Sequence, residues 1–294
     1  MIQEQAGVTA AGKRAWLGLA VAPQGTLANF DLGGRYTPAV EGGGSFDGWP
    51  LSIHSRAGVE LLLAEADAAE WTGPDASSRL ESSEWILPRA VWHDAVVRAA
   101  AGLGERDGAT STEGADAAAA VLPLPFGTLF GSAQAIDRSL EAKRAVLHEA
   151  FDRVRGREEW GVKLCLDLDG LVKQEVDSRL ATLSEEGELS PGKRFFVERR
   201  LQREVAAEVG ALKNERIAAF GDWLEARVPV LRQLERSRSD AGVAAKFAAL
   251  IDRDDASSFA ASVSASWSQA TVTLTGPWPA YNFVPRVESG EIEK

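Results

Sequence analysis

The sequence has very few of the residues from which disulfides and metal centres are built. Its 294 residues include one cysteine and three histidines. A single cysteine excludes an intramolecular disulfide and a cysteine-rich metal site, and Cys165, in the apolar run 162–166, is expected to be a small core residue. His54, His93 and His148 do not fit H-x-x-x-H or H-E-x-x-H, and His93 is expected at a helix surface or cap. No metal or other cofactor is therefore expected.

Long apolar runs and an excess of positive charge are also missing. No run of 18 apolar residues occurs, and residues 1–5 lack the basic and hydrophobic regions of a signal peptide. We therefore expect no membrane partner and a cytoplasmic location. The formal net charge of −11 disfavours nucleic acid and anionic lipid as main partners.

The common catalytic motifs are not found either. The chain contains no G-x-S-x-G, Walker A or G-x-G-x-x-G sequence, and residues 42–44 are a glycine run without a following Lys-Ser/Thr. Asp167 and Asp169 follow a predicted strand but lack the remaining ligands of a calcium loop. Glu158 and Glu159 are adjacent in that strand, so they should point to opposite faces. These observations predict that the protein is not an enzyme.

Tryptophan is abundant, with nine residues against two tyrosines. The tryptophans have no fixed spacing and are expected to fill the core and the domain junctions. With 45% hydrophobic and 26% charged residues, the composition is that of a soluble globular protein. A chain of this length favours two domains.

The predicted fold class is α+β, with a small N-terminal α+β domain at residues 1–131. A flexible loop is predicted at about 102–120, where glycine and polar residues prevail. Pro123 and Pro125 restrict the following segment to an edge or irregular strand. The other predicted elements of this domain are strands at 15–21 and 51–54 and helices at 58–70 and 88–101, the last with Pro88 in its first turn.

The C-terminal domain is predicted at residues 132–287, with an acidic tail at 288–294. Its elements follow the order β-α-β-β-α-β, which predicts a ferredoxin-like domain with an enlarged helical crossover. Residues 160–166 and 271–274 should then share one sheet. The predicted elements are helices at 132–155, 171–183, 190–226 and 254–267, and strands at 159–166, 228–234, 244–251 and 271–274.

A stiff aromatic segment follows the last predicted strand, at residues 276–284. Pro277 and Pro279 each fix φ and remove a donor, so they are expected to stop the strand before Gly276. We expect Trp278 to be buried on the protein's own surface. The alternative is that its ring faces a partner.

Five stretches resemble the GvpL/GvpF family of gas vesicle proteins. Residues 274–284, Leu-Thr-Gly-Pro-Trp-Pro-Ala-Tyr-Asn-Phe-Val, are similar to the closing motif of that family. Residues 121–128 resemble its central V-L-P-x-x-F-G-T signature, preceded by Trp92-His93, and residues 156–163 resemble its G-x-x-E-W-x-V-K strand. Ser190-Pro191-Gly192, with Phe195-Phe196 and the arginines that follow, resembles the start of its long helix.

The resemblance implies a non-enzymatic accessory or minor structural protein of gas vesicle assembly. Its partners would be the hydrophobic shell protein, other accessory gas vesicle proteins or a second copy of the chain. The alternative is a ferredoxin-like ligand-binding or regulatory module, and a cofactor-free enzyme is a third hypothesis. A closed polar pocket would favour these two, whereas an open apolar groove or a long exposed strand edge would favour assembly. Candidate motif or partner-contact residues are Pro123, Phe126, Gly127, Trp160, Gly276, Pro277, Trp278, Pro279, Tyr281 and Phe283.

Overall fold

The computed structural model describes residues 14–36, 46–72, 75–103, 119–185, 191–237, 242–267 and 270–285. The chain divides into two units, the first formed by residues 1–157 and 278–294 and the second by residues 158–277. Both combine helices with a sheet, so the α+β class is confirmed. The predicted acidic tail and most of the predicted flexible loop fall outside the described residues. Within the described ranges, no helix is both long and apolar enough to cross a bilayer.

The first unit is built on a sheet with the strand order β2-β3-β1-β4, in which β5 also pairs with β1. All of these pairs are antiparallel, and β1 is buried along most of its length. The elements are β1 (Arg14–Pro23), β2 (Leu51–Arg56), β3 (Val59–Asp67), α1 (Ala68–Trp71), α2 (Ala76–Glu81), α3 (Ser83–Ala100), β4 (Leu122–Pro123), β5 (Leu129–Phe130) and α4 (Ala133–Val154).

The prediction of a helix at residues 58–70 is wrong, because most of this stretch forms strand β3. Every residue from 59 to 64 is buried, so both faces of the strand are covered and its apolar run carries no period of two. Ala57 and Gly58 have φ of 54° and 80° and form the two-residue turn that joins β2 to β3. That turn is the local signal for a hairpin.

A buried carboxylate fixes the turn after β1. Glu60 is only 7% exposed, and its two oxygens accept hydrogen bonds from the backbone N–H groups of Gly25, at 2.8 Å, and Leu27, at 2.9 Å. Buried backbone donors need such partners. Glu60 therefore joins strand β3 to the turn that follows its neighbour β1.

The two long helices of the first unit differ from prediction in their limits and placement. Helix α3 begins at Ser83, so Pro88 lies inside it rather than in its first turn. Helix α4 begins as predicted, with the Ser132 side chain accepting from the Ala135 N–H at 3.2 Å. Helix α4 contacts strands β1, β2, β4 and β5 of the first unit. The structure thus places α4 in the first unit and moves the boundary from residue 131 to residue 157, because an apolar stripe does not specify which sheet covers it.

The second unit has a four-stranded sheet in the order β7-β8-β6-β9. Strands β6 and β9 are neighbours, which confirms that residues 160–166 and 271–274 share one sheet. Cys165 is only partly buried, so it is not the core residue that was predicted. The elements are β6 (Arg157–Leu166), α5 (Leu168–Glu185), α6 (Pro191–Glu225), β7 (Val230–Leu234), β8 (Val243–Asp252), α7 (Ala256–Ser266) and β9 (Ala270–Trp278).

Strand β9 is longer than predicted, because it continues through Gly276 and Pro277 to Trp278. It lies at the edge of the sheet order, where one side of the strand has no neighbour in that order. An edge strand tolerates a residue without an N–H group. Pro277 is therefore accommodated within the edge strand, which ends at Trp278, directly before Pro279.

We predict that Glu60→Ala lowers the free energy of unfolding by about 2–4 kcal/mol, because two backbone donors lose their acceptor. Urea denaturation measures the change. Glu65→Ala is the matched control, since Glu65 is paired with Arg14 at the surface, where their side chains are 39% and 72% exposed. Equal destabilisation by the two substitutions would contradict the role given to Glu60.

Candidate functional site

Helix α3 contacts two of the segments that were singled out in the sequence. Its buried His93 lies against Phe126, with 5.6 Å between ring centroids. The Arg98 guanidinium lies 5.3 Å from the centre of the Trp278 ring, and the Tyr281 hydroxyl donates to Asp94 Oδ1 at 3.1 Å. One helix of the first unit therefore supports both the central segment, residues 122–130, and the closing segment, residues 278–285.

The central segment, residues 122–130, is held in place mainly by backbone bonds to β1. Pro123 pairs with Ala20, and Gly18 N–H donates to the Thr128 carbonyl at 2.8 Å. Gly127 has φ of 88°, a conformation that favours glycine. Phe126 contacts the Trp71 ring at 5.4 Å and packs against the core of this unit. These contacts give Pro123, Phe126 and Gly127 a structural role.

The closing segment has one fully buried ring and two exposed ones. Phe283 is 2% exposed, whereas Trp278 is 38% and Tyr281 36% exposed. Pro279 is buried beside them. The expectation of a buried Trp278 is therefore wrong, and Phe283 is the anchor. Trp278 and Tyr281, with Asp94 and Arg98 of α3, form what we call the α3 surface.

Trp160, Gly276 and Pro277 form a separate group in the second unit. A Cβ atom on Gly276 would lie 3.0 Å from the Glu159 carbonyl oxygen and 3.2 Å from the Trp160 ring, and Gly276 has φ of 146°. Glycine at this position lets β9 approach β6 closely. The Trp160 indole N–H donates to Glu158 Oε1 at 2.9 Å, and its ring packs on the core.

An arginine inside an aromatic cluster was not recognised from the sequence. The Arg89 guanidinium lies 4.7 Å from the Phe46 ring centre, 5.7 Å from that of Trp49 and 4.2 Å from that of Trp85. Burial lowers the pKa of Arg89, and Glu70 partly opposes this effect. The signal was the Trp85–Arg89 spacing of four residues on a helix. Ring contacts extend this cluster to Trp71 and Trp92, in agreement with the core-filling role predicted for tryptophan.

His93 is not at a surface or cap, since it is 2% exposed. Burial lowers its pKa from 6.5 to about 4, and a hydrogen bond with the Gly18 backbone acts in the opposite direction. Burial removes the water that would stabilise the charged imidazole, and this loss of hydration favours the neutral form. His93 is therefore neutral in the folded protein at neutral pH.

The acidic residues considered as catalytic or metal groups have other partners. Asp167 Oδ1 accepts from the Gly170 N–H at 3.0 Å, in the first turn of α5. Glu158 accepts from Trp160, as described above. Among the described residues, no three or more His, Cys, Asp or Glu side chains are placed to hold a metal ion.

The second unit contains an open groove of about 280 Å³ between α6 and strands β7 and β8. Its lining combines apolar side chains with four polar ones. A groove open to solvent differs from the enclosed, mostly apolar sites that hold small ligands. The lining residues are Asn214, Ile217, Ala218, Gly221, Asp222, Glu225, Leu231, Gln233 and Phe247.

Known proteins resemble this chain in both sequence and fold. The family described as "Gas vesicle synthesis protein GvpL/GvpF" matches residues 110–285. Gas vesicle protein L of a Streptomyces species is 26% identical over 262 residues, covering 83% of this chain and 86% of that protein. Gas vesicle protein F2 of Halobacterium salinarum is 29% identical over 175 residues, covering 58% of this chain and 61% of that protein. The crystal structure of GvpF from Anabaena has a TM-score of 0.55 at 16% identity, covering 94% of this chain and 98% of that one.

Two substitutions test the description of the closing segment. Phe283→Ala should destabilise the protein by about 3–5 kcal/mol, because it empties a buried site. Trp278→Ala should cost about 1 kcal/mol, because the indole is already partly hydrated and its Arg98 contact is at the surface. Thermal and urea denaturation compare the two variants. A larger loss for Trp278→Ala than for Phe283→Ala would contradict the assigned anchor.

The lowered pKa of His93 predicts a pH dependence of stability. As the pH falls from 6.5 towards 4, the unfolded chain binds a proton before the folded protein does, so stability is lost in this window. The loss from this residue is about 3 kcal/mol at most. His93→Gln should flatten the stability profile between these pH values. Parallel profiles for the wild type and His93→Gln would refute the assignment.

Proposed function

Because the chain belongs to the GvpL/GvpF family of gas vesicle proteins, we propose that it is a non-enzymatic accessory or minor structural protein of gas vesicle assembly. The family match spans more than half of the chain and includes the central and closing segments. The resemblance noted in the sequence is thereby confirmed. The proposed partners are the hydrophobic shell protein, other accessory gas vesicle proteins, or both.

The observation that carries this proposal is the exposure of two aromatic rings within the matched region. Trp278 and Tyr281 are held beside α3 by Arg98 and Asp94, so their positions are fixed while 38% and 36% of their surface remains accessible. Aromatic rings held in this way are typical anchors in protein interfaces. The α3 surface is the proposed contact site.

We further propose that the second unit is a ferredoxin-like domain. Its strand order, β7-β8-β6-β9, places the first and third strands of the unit in the middle and the second and fourth at the edges. Two helices, α5 and α6, form the crossover between β6 and β7, and α7 connects β8 to β9. The proposed location is the cytoplasm, at gas vesicles, with neither nucleic acid nor lipid as a main partner, in keeping with a net charge of −11.

A ligand-binding or regulatory module is the second candidate, and the polar side chains in the groove of the second unit are the observation in its favour. Asn214, Asp222, Glu225 and Gln233 could bind polar groups of a metabolite. The groove is open, however, whereas metabolite sites enclose most of the ligand surface. Gas vesicle assembly therefore remains the preferred function.

The experiment is an affinity pull-down of the tagged chain from cells that also produce a set of gas vesicle proteins. We predict that the wild type captures the shell protein or an accessory protein. The double variant Trp278→Ala, Tyr281→Ala should lose at least tenfold of this captured material while it remains folded, because the aromatic anchors are removed.

Val146→Ala is the matched control, since Val146 is a 49% exposed apolar residue of α4, outside the α3 surface. Its capture should equal that of the wild type. Failure of the wild type to capture any gas vesicle protein would refute the proposed function. Full capture by the double variant would refute the α3 surface as the contact site.

A further inference from the structure

Among the residues that the structure describes, the two most exposed large apolar side chains lie near the start of helix α6. Phe195 is 56% and Phe196 73% exposed, and their rings contact each other edge to face at 5.8 Å. Neither belongs to the small core between α5 and α6, which is formed by Val176, Leu180, Leu201 and Val205. Exposed aromatic pairs of this kind cost solubility and commonly mark an interaction site.

The phenylalanines are the first members of a stripe along α6. Residues spaced by three or four positions lie on the same side of a helix. By this spacing, the two phenylalanines share one side of α6 with two arginines and three small residues. The Arg199 guanidinium lies 5.5 Å from the Phe195 ring centre, as this geometry requires. We call this set the outer stripe, and its members are Phe195, Phe196, Arg199, Arg203, Ala206, Ala207 and Gly210, all of them exposed.

The outer stripe is positively charged in an acidic protein. Between residues 191 and 204, five lysines and arginines stand against two glutamates, whereas the whole chain has a formal net charge of −11. Glu198 and Glu204 lie off the stripe by helical spacing, and Glu204 forms an ion pair with Arg200 at 2.9 Å. The side of α6 opposite the stripe contains Leu201 and Val205, which pack towards α5. The local charge favours an acidic partner.

The small residues indicate the shape of that partner. Ala206, Ala207 and Gly210 leave the helix backbone accessible, and a Cβ atom on Gly210 would meet no other atom within 4 Å. Small residues let a second helix approach closely, while large side chains of that helix fill the space above them. The stripe therefore combines aromatic anchors, cationic groups and a flat surface that suits a helix.

We propose that the outer stripe of α6 binds an acidic amphipathic helix of another gas vesicle protein. The apolar residues of that helix pack on Phe195, Phe196 and the small residues, and its carboxylates pair with Arg199 and Arg203. The proposal rests on the proposed function for the origin of the helix. A second copy of this chain is disfavoured, because a two-fold contact would place the cationic stripe against itself.

The test uses the same pull-down with four variants of the full chain. Phe195→Ser with Phe196→Ser, and Arg199→Glu with Arg203→Glu, should each reduce capture of the partner at least tenfold. Gly210→Leu should do the same by blocking close approach, although it should raise stability, since leucine is a better helix former than glycine. Gly210→Ala, which adds a single methyl group, should raise stability as well and retain most of the capture.

Leu168→Ser is the control for removal of an exposed apolar side chain, since Leu168 is a 37% exposed residue at the start of α5. A photo-crosslinking phenylalanine analogue at position 196 identifies the contacted segment, which should be helical and rich in Glu or Asp. Crosslinks to lipid or to a second copy of the chain would overturn the inference, as would full capture by the Phe double variant and Gly210→Leu. Those results leave the proposed function intact, whereas a wild type that captures no gas vesicle protein refutes both.

Discussion

The packing of helix α3 is the interaction on which the first unit depends. The helix buries Trp92 and His93 in the core, where His93 contacts Phe126 of the central segment. Its Asp94 and Arg98 contact the closing segment. Two stretches that are about 150 residues apart in the sequence thus contact the same helix of the first unit. The exposed rings of the closing segment keep their positions only while α3 stays folded.

The first unit is formed by two separate stretches of the chain. The second unit, residues 158–277, is inserted between α4 and the closing segment, both of which belong to the first unit. The family match at residues 110–285 therefore contains all of the second unit and parts of the first. The closing segment belongs to the first unit and contacts α3, so the stability of α3 depends on the last residues of the matched region. The closing segment, which contains proline and aromatic residues, therefore has a structural role.

The order of strands and helices within residues 158–277 was predicted correctly, because its strands and helices differ in length and in the spacing of apolar residues. Strand β3 was mistaken for a helix, since a strand buried on both faces has no alternation. The placement of α4 could not be predicted, because its apolar stripe fits either sheet. Trp278 was expected to be buried because an exposed aromatic cluster favours aggregation. Burial depends on tertiary contacts, however, and the structure buries Phe283 instead. The exposure of Phe195 and Phe196 could not be predicted, because it becomes evident only when the α5–α6 packing is known.

The central claim is that the closing segment is a structural part of the first unit, bound to α3. Hydrogen–deuterium exchange on two truncated chains, one ending at residue 277 and one at residue 285, tests it most directly. The chain ending at 285 keeps the whole closing segment and serves as the control. We predict that the shorter chain loses amide protection across α3, residues 83–100, while strands β7 and β8 keep theirs. Unchanged protection of α3 in the shorter chain would contradict the account.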